Sequence, residues 1–110
     1  MNKRRKLLFV CSRNKLRSLT AEKLFEGSPK YDVPSVGTQS NARIVITEGH
    51  IGWADMIFCM EKSHADRVRR KFPEAIRDKT IVCLHIPDDY EYLDPALVEE
   101  LRAKLEPHIT

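Results

Sequence analysis

The chain has 110 residues, enough for one domain with a modest core, expected to occupy residues 1–110. Its charged fraction of 32% and hydrophobic fraction of 42% fit a soluble globular protein. The net charge of +3 favours small anionic ligands without forming a nucleic-acid footprint, and no stretch is long enough to span a membrane.

The chain begins with Asn2-Lys3-Arg4-Arg5-Lys6, superficially the basic region of a signal peptide. The apolar run that follows, Leu7 to Cys11, is too short for such a segment and is ended by Ser12-Arg13-Asn14-Lys15. The basic tip is therefore expected to be solvated chain, and the protein to be cytoplasmic. Lys6–Val10 reads as a first strand that ends at Cys11. Arg17 stands six positions after Cys11, and Ser18 opens a helical pattern. That arrangement suits a thiolate nucleophile in a phosphate-binding loop. Backbone N–H groups and the helix N-terminus supply partial positive charge, a field that favours thiolate over thiol near neutral pH. Arg17 would grip two phosphate oxygens with its planar fork. The bare Cys-x5-Arg spacing is weak; its place at a strand end before a helix gives it force, because ligands of open α/β sheets bind there.

Ser18–Gly27 reads as a helix with Ala21, Leu24 and Phe25 on one face and Gly27 as its stop. Tyr31–Val36 is a weaker strand, and Pro34 implies an edge position. Ala42–Trp53 is ambiguous: Thr47 suits the cap of a short helix, whereas Gly49 and Gly52 weigh against one. Trp53 is expected to pack beside the next strand, Ala54–Met60, which reads as buried. Lys62–Phe72 reads as a helix with Ala65, Val68 and Phe72 inward, followed by Pro73. On it, His64 is expected to face solvent, and Arg67, Arg69, Arg70 and Lys71 to form a solvated face. Thr80–Ile86 reads as a further buried strand. Asp94-Pro95 marks a cap and first turn, and the last helix runs to about Glu106. Leu97, Leu101 and Leu105 form its stripe, with Glu100 and Lys104 as an i,i+4 pair.

Four strands alternating with helices imply an α/β fold, a parallel sheet between two helical layers. The three cysteines, Cys11, Cys59 and Cys83, are too few and too irregular for a disulfide framework. Cys59 and Cys83 are expected to be small buried hydrophobes. No Cys/His cluster suggests a metal, and no cofactor is expected.

The stretch Leu7–Phe25, with Cys11, Asn14, Arg17 and Ser18 in its Cys-x5-Arg-Ser loop, resembles the low-molecular-weight protein tyrosine phosphatase family. Ser35-Val36-Gly37-Thr38 is similar to that family's Ser-Ala-Gly-Thr, Ala54 to His64 to its central strand and turn, and Ile86-Pro87-Asp88-Asp89-Tyr90 to its acid loop. The matches follow in order along nearly the whole chain. The resemblance, to a compact prokaryotic variant, implies a flavodoxin-like, phosphotyrosine phosphatase I-like fold. Its three αβα layers would enclose a four-stranded sheet of order 2-1-3-4.

The resemblance also implies hydrolysis of a phosphorylated protein or small aryl phosphate through a phosphocysteine, without metal. Cys11 would be the nucleophile and Arg17 the phosphate clamp. Ser18 would hydrogen-bond the thiolate, Asn14 would hold the loop, and Asp88 would be the general acid and then base. Alternation would put one of Tyr90 and Tyr92 against the core, but Ser12, Arg13, Asn14, Lys15, Leu16 and Ser18 would complete the phosphate loop, with Asp89 and Tyr90 as substrate-flanking residues. Tyr92 is a weaker candidate for that place. Several positions depart from the family. The chain is shorter between Thr38 and Ala54. Arg13 replaces a common glycine and Lys15 adds a second basic residue. Leu16 stands where many members carry a second cysteine, and Leu19 replaces a common proline. Asp89 replaces the proline after the acid, which leaves Asp89 as the alternative acid. Competing readings are a phosphate-binding module without turnover, an arsenate reductase, and a phosphocysteine carrier of a sugar transport system.

Overall fold

Leu7, Leu8, Phe9 and Val10 are apolar at four consecutive positions, as a strand covered on both faces requires, and all four are fully buried. They lie in β1 (Arg5–Cys11), the centre of the sheet in this computed structural model, which describes residues 4–109. After β1 come α1 (Arg17–Leu24), β2 (Tyr31–Asp32), β3 (Ser35–Gly37), α2 (Glu48–Trp53) and β4 (Met56–Cys59). Then follow α3 (Lys62–Lys71), β5 (Thr80–Cys83) and α4 (Pro95–Ile109). All strand pairings are parallel, in the order β2-β1-β4-β5, with β3 also on β1.

The expected strand Tyr31–Val36 is thus two short strands on the same side of β1. Pro34 lies between them, and its carbonyl accepts from Phe9 N. With β2 and β3 counted as one interrupted strand, the order is the expected 2-1-3-4.

Alternation along β1 divides the interior. Leu7, Phe9 and Cys11 face α1 and α4, packing with Phe58, Ala21, Leu97, Leu101 and Leu105. Leu8 and Val10 face α2 and α3, packing with Ile51, Ile57, Ala65 and Val68. Helix α1 ends three residues earlier than expected. Phe25 N and Glu26 N bond three residues back, and Gly27 reverses the chain at φ +80°. Thr47 caps α2, its Oγ1 accepting from His50 N, so the ambiguous segment does carry a helix. Strand β5 is shorter and less buried than expected. It lies at the edge of the sheet, and Cys83 is only partly covered. Helix α4 passes through Pro107 to Ile109 instead of stopping near Glu106. Of the basic N-terminal tip, Asn2 and Lys3 lie outside the described residues. Arg5 and Lys6 belong to β1, and the Lys6 ammonium sits over the Trp53 ring. Among the described residues no helix is long and apolar enough to cross a membrane.

Candidate active site

Where β1 ends, Cys11 stops the apolar run and the chain folds back over its own sulfur. Asn14 makes this possible with a φ of 59°, a left-handed conformation that asparagine tolerates better than most residues. Its backbone N–H then donates to Cys11 Sγ at 3.2 Å. The fully buried Asn14 side chain holds the loop from within. Its Nδ2 donates to Ser18 Oγ at 2.9 Å and to Ser35 Oγ at 2.7 Å. Because Ser18 Oγ accepts from Asn14, its own proton is free for Cys11 Sγ, 2.9 Å away. Two donors therefore converge on the sulfur. Ser18 is not the cap of α1; Leu16 holds that position without a side-chain bond.

Segment Gly37–Arg43 seals the loop from the other side. Thr38 N donates to Cys11 O at 2.9 Å, Gln39 N to Ser12 O at 3.0 Å and Arg43 N to Arg13 O at 2.9 Å. Arg43 Nε also donates to Asn14 O.

Arg17 is 4% exposed although it is charged. One nitrogen, Nη1, is committed to Glu61 Oε2 at 2.5 Å and to Ile86 O at 2.8 Å. Among the described residues the Nε–H and both Nη2 protons make no hydrogen bond, which leaves the geometry of a bidentate clamp. Asp88 Oδ1 stands 3.7 Å from Arg17 Nε, and the Asp88 side chain is 64% exposed. Cys11, Arg17 and Asp88 all line one cavity of about 460 Å³, with Ser12, Arg13, Lys15, Leu16 and Gln39 around it.

The remaining expected site residues divide. Asp89 is exposed and does not line the cavity. Tyr90 turns away from it: the ring packs on the α4 side of the core and its hydroxyl donates to Glu100 at 2.5 Å. That bond raises the Tyr90 pKa, while Lys104 first and Tyr90 second lower that of Glu100. Tyr92 is exposed outside the cavity. Gln39 and Glu61 are the contributors that motif reading did not assign. His64 corrects an expectation: it does not face solvent but is 2% exposed, with Nε2 3.0 Å from Ser12 Oγ and Nδ1 accepting from Glu61 N at 3.1 Å. The signal was present as a glutamate three residues before a histidine at a helix start, a capping box with the histidine in the reciprocal place. Thr47 and His50 repeat it at α2. Among the described residues no cluster of His, Cys, Asp or Glu could hold a metal ion.

No family model and no curated relative matches the chain. Solved structures do. The tyrosine phosphatase Wzb from Escherichia coli K30, in complex with phosphate, superposes with a TM-score of 0.75 at 22% identity, over 96% of each chain. The YwlE arginine phosphatase from Geobacillus stearothermophilus gives 0.67 at 25% identity over 94% of each. SP-PTP, a low molecular weight protein tyrosine phosphatase from Streptococcus pyogenes, gives 0.77 at 18% identity, over 96% of this chain and 94% of its own.

Proposed function

We propose that this chain, which has the fold of the low-molecular-weight protein tyrosine phosphatases, is a cysteine-dependent, metal-independent phosphomonoesterase. The observation that carries the reading is the convergence of Cys11, Arg17 and Asp88 on one cavity. Cys11 thiolate attacks phosphorus while the bond to the leaving oxygen breaks. Asp88, as the acid, gives that oxygen its proton, and a phosphocysteine results. Asp88 carboxylate then takes a proton from water as the water oxygen attacks phosphorus. The S–P bond breaks, and phosphate and thiolate are restored. Splitting the displacement in two eases each step, and the free Arg17 donors complement the charge on the transferring group. Asp88 supports this role better than Asp89, because only Asp88 lines the cavity.

A phosphorylated protein or small aryl phosphate is the substrate of this reading. Its lining joins the buried Cys11 to the exposed, basic Arg13 and Lys15, which suits an anionic substrate. Arsenate reduction fits less well. Burial pushes the Cys59 thiol up to about 12, and neither Cys59 nor Cys83 reaches the cavity to receive a disulfide. Three unpaired cysteines fit a reducing cytoplasm.

The test is hydrolysis of p-nitrophenyl phosphate in EDTA between pH 5 and 8. Turnover should vanish in Cys11→Ser and fall by about 10²–10⁴-fold in Asp88→Asn. Parallel assays with phosphotyrosine and phosphoarginine peptides separate the oxygen ester from the nitrogen-linked phosphate. Wild-type protein that binds phosphate but turns over none of these would be a binding module instead.

A further inference from the structure

His64 and Ser12 form a polar pair at the loop that the catalytic reading leaves unused. Ser12 lines the cavity beside Cys11, and His64 lies behind it, buried at the start of α3. The proton positions follow from the partners. A backbone N–H can only donate, so Glu61 N requires an unprotonated Nδ1 on His64. A neutral imidazole then carries its single proton on Nε2, and Nε2–H donates to Ser12 Oγ at 3.0 Å. Since Ser12 Oγ accepts there, its own hydroxyl proton is directed elsewhere. The same polarity excludes Ser12 as a second nucleophile: the histidine next to it offers a proton and has no lone pair with which to take one.

We propose that His64 is a positioning residue that turns the Ser12 hydroxyl into the cavity as an additional donor to a phosphoryl oxygen of the ligand. The assignment deepens the phosphatase reading and rests on it for the identity of the bound group. His64 also belongs to the Arg17 network, because the same Glu61 that caps α3 with its N–H accepts Arg17 with its carboxylate.

Two substitutions separate this role from helix capping. Asn at position 64 keeps a short acceptor where Nδ1 was, and so retains the bond from Glu61 N. Gln keeps a donor at the reach of Nε2, and so retains the bond to Ser12. Inorganic phosphate binding, read by amide NMR shifts of the loop, is measured for wild type, Ser12→Ala, His64→Asn and His64→Gln, with thermal unfolding of each. A hydrogen bond to a charged oxygen is worth about tenfold in affinity. Ser12→Ala and His64→Asn should each weaken phosphate by about that factor, and His64→Gln should stay close to wild type. His64→Gln should be the less stable of the two position-64 variants.

Phosphate affinity unchanged in Ser12→Ala overturns the assignment. So does full affinity in His64→Asn with loss in His64→Gln, because His64 would then act as a cap alone. Both results leave the phosphatase reading standing. Wild-type protein that binds no phosphate removes that reading, and this assignment with it.

Discussion

Burial pushes the His64 pKa down to about 4, and Arg17 adds to that shift; Arg67 lowers it slightly further, while Glu61 and Asp88 act in the opposite direction. The folded value lies below the ordinary histidine value of 6.5, so between them the unfolded chain takes up a proton that the native state refuses. The associated stability is fully present above about pH 6.5 and is lost as pH falls toward about 4. Its full extent is on the order of 3 kcal/mol, taking about 1.4 kcal/mol for each unit between the two values. The expected result is a urea midpoint that drops between pH 7 and pH 4.5 in wild type and drops less in His64→Asn, which has nothing to titrate there. Equal slopes for the two proteins would mean that other groups carry the acid sensitivity. Protonated His64 would also point Nδ1–H at Glu61 N–H, so acid should loosen the start of α3 before the sheet.

At the scale of elements, the candidate site depends on how closely β3 approaches the loop Cys11–Ser18. A Cβ on Gly37 would lie 2.5 Å from Ser12 O and 2.5 Å from Ala42 Cβ, and the first of these is backbone that cannot swing away. Gly37→Ala should therefore cost about 1–3 kcal/mol, typical of overpacking, and should weaken phosphate binding by moving the loop. A urea titration and a phosphate titration on the same variant check both parts. A stable variant with intact binding would show that the seam between β3 and the loop can slide.

This seam explains what was and was not legible in the chain. Ser35-Val36-Gly37-Thr38 is visible as a motif, yet its reasons are three-dimensional: Ser35 receives Asn14, Gly37 admits Ser12 O, and Thr38 N binds Cys11 O. The strands and helices followed from periodicity because β1 is buried on both faces and α4 carries its leucines on one. The short extent of β5 was not legible, since Leu84 and Ile86 are as apolar as a strand and stay buried while only their N–H groups continue the pairing, to Cys59 O and Met60 O. The capping place of His64 was legible from Glu61 three residues before it, but its contact with Ser12 was not, because nothing on the helix marks the loop that folds over it. Alternation set one of Tyr90 and Tyr92 against the core, and it is Tyr90 that packs there; that Glu100, ten residues on, takes its hydroxyl was not legible.

Over the whole molecule, the sheet separates two cores, and the candidate site sits where both end, at the carboxyl end of β1. Helix α4 closes one core with Leu97, Leu101 and Leu105 and also braces the loop that carries Asp88. Glu100 accepts the Tyr90 hydroxyl, and Lys104 Nζ donates to His85 O at 2.7 Å. Farther along, Leu93 N donates to Thr20 Oγ1, which ties the same loop to α1. Cys11–Ser18 hangs mainly from other supports, Ser35, Thr38, Gln39 and Arg43 on one side and His64 on the other, and meets the braced loop only where Arg17 donates to Ile86 O.

Stability and phosphate binding should therefore separate when the α4 core is weakened. Leu101 is fully buried, and Leu101→Ala should cost about 2–5 kcal/mol through lost burial and a residual cavity. That is a large part of the roughly 5–15 kcal/mol available to a domain of this size. The urea midpoint should fall accordingly, while phosphate affinity measured well below the transition should stay within about twofold, because none of the hydrogen bonds of Cys11–Ser18 is made to α4 itself and most avoid the loop it braces. Turnover should fall further than binding, since Asp88 depends on the loop that α4 braces and Cys11 does not. A parallel loss of phosphate affinity and stability would instead mean that the Cys11 side chain, which shares this core with Leu101, is held in place by packing more than by the hydrogen bonds around it.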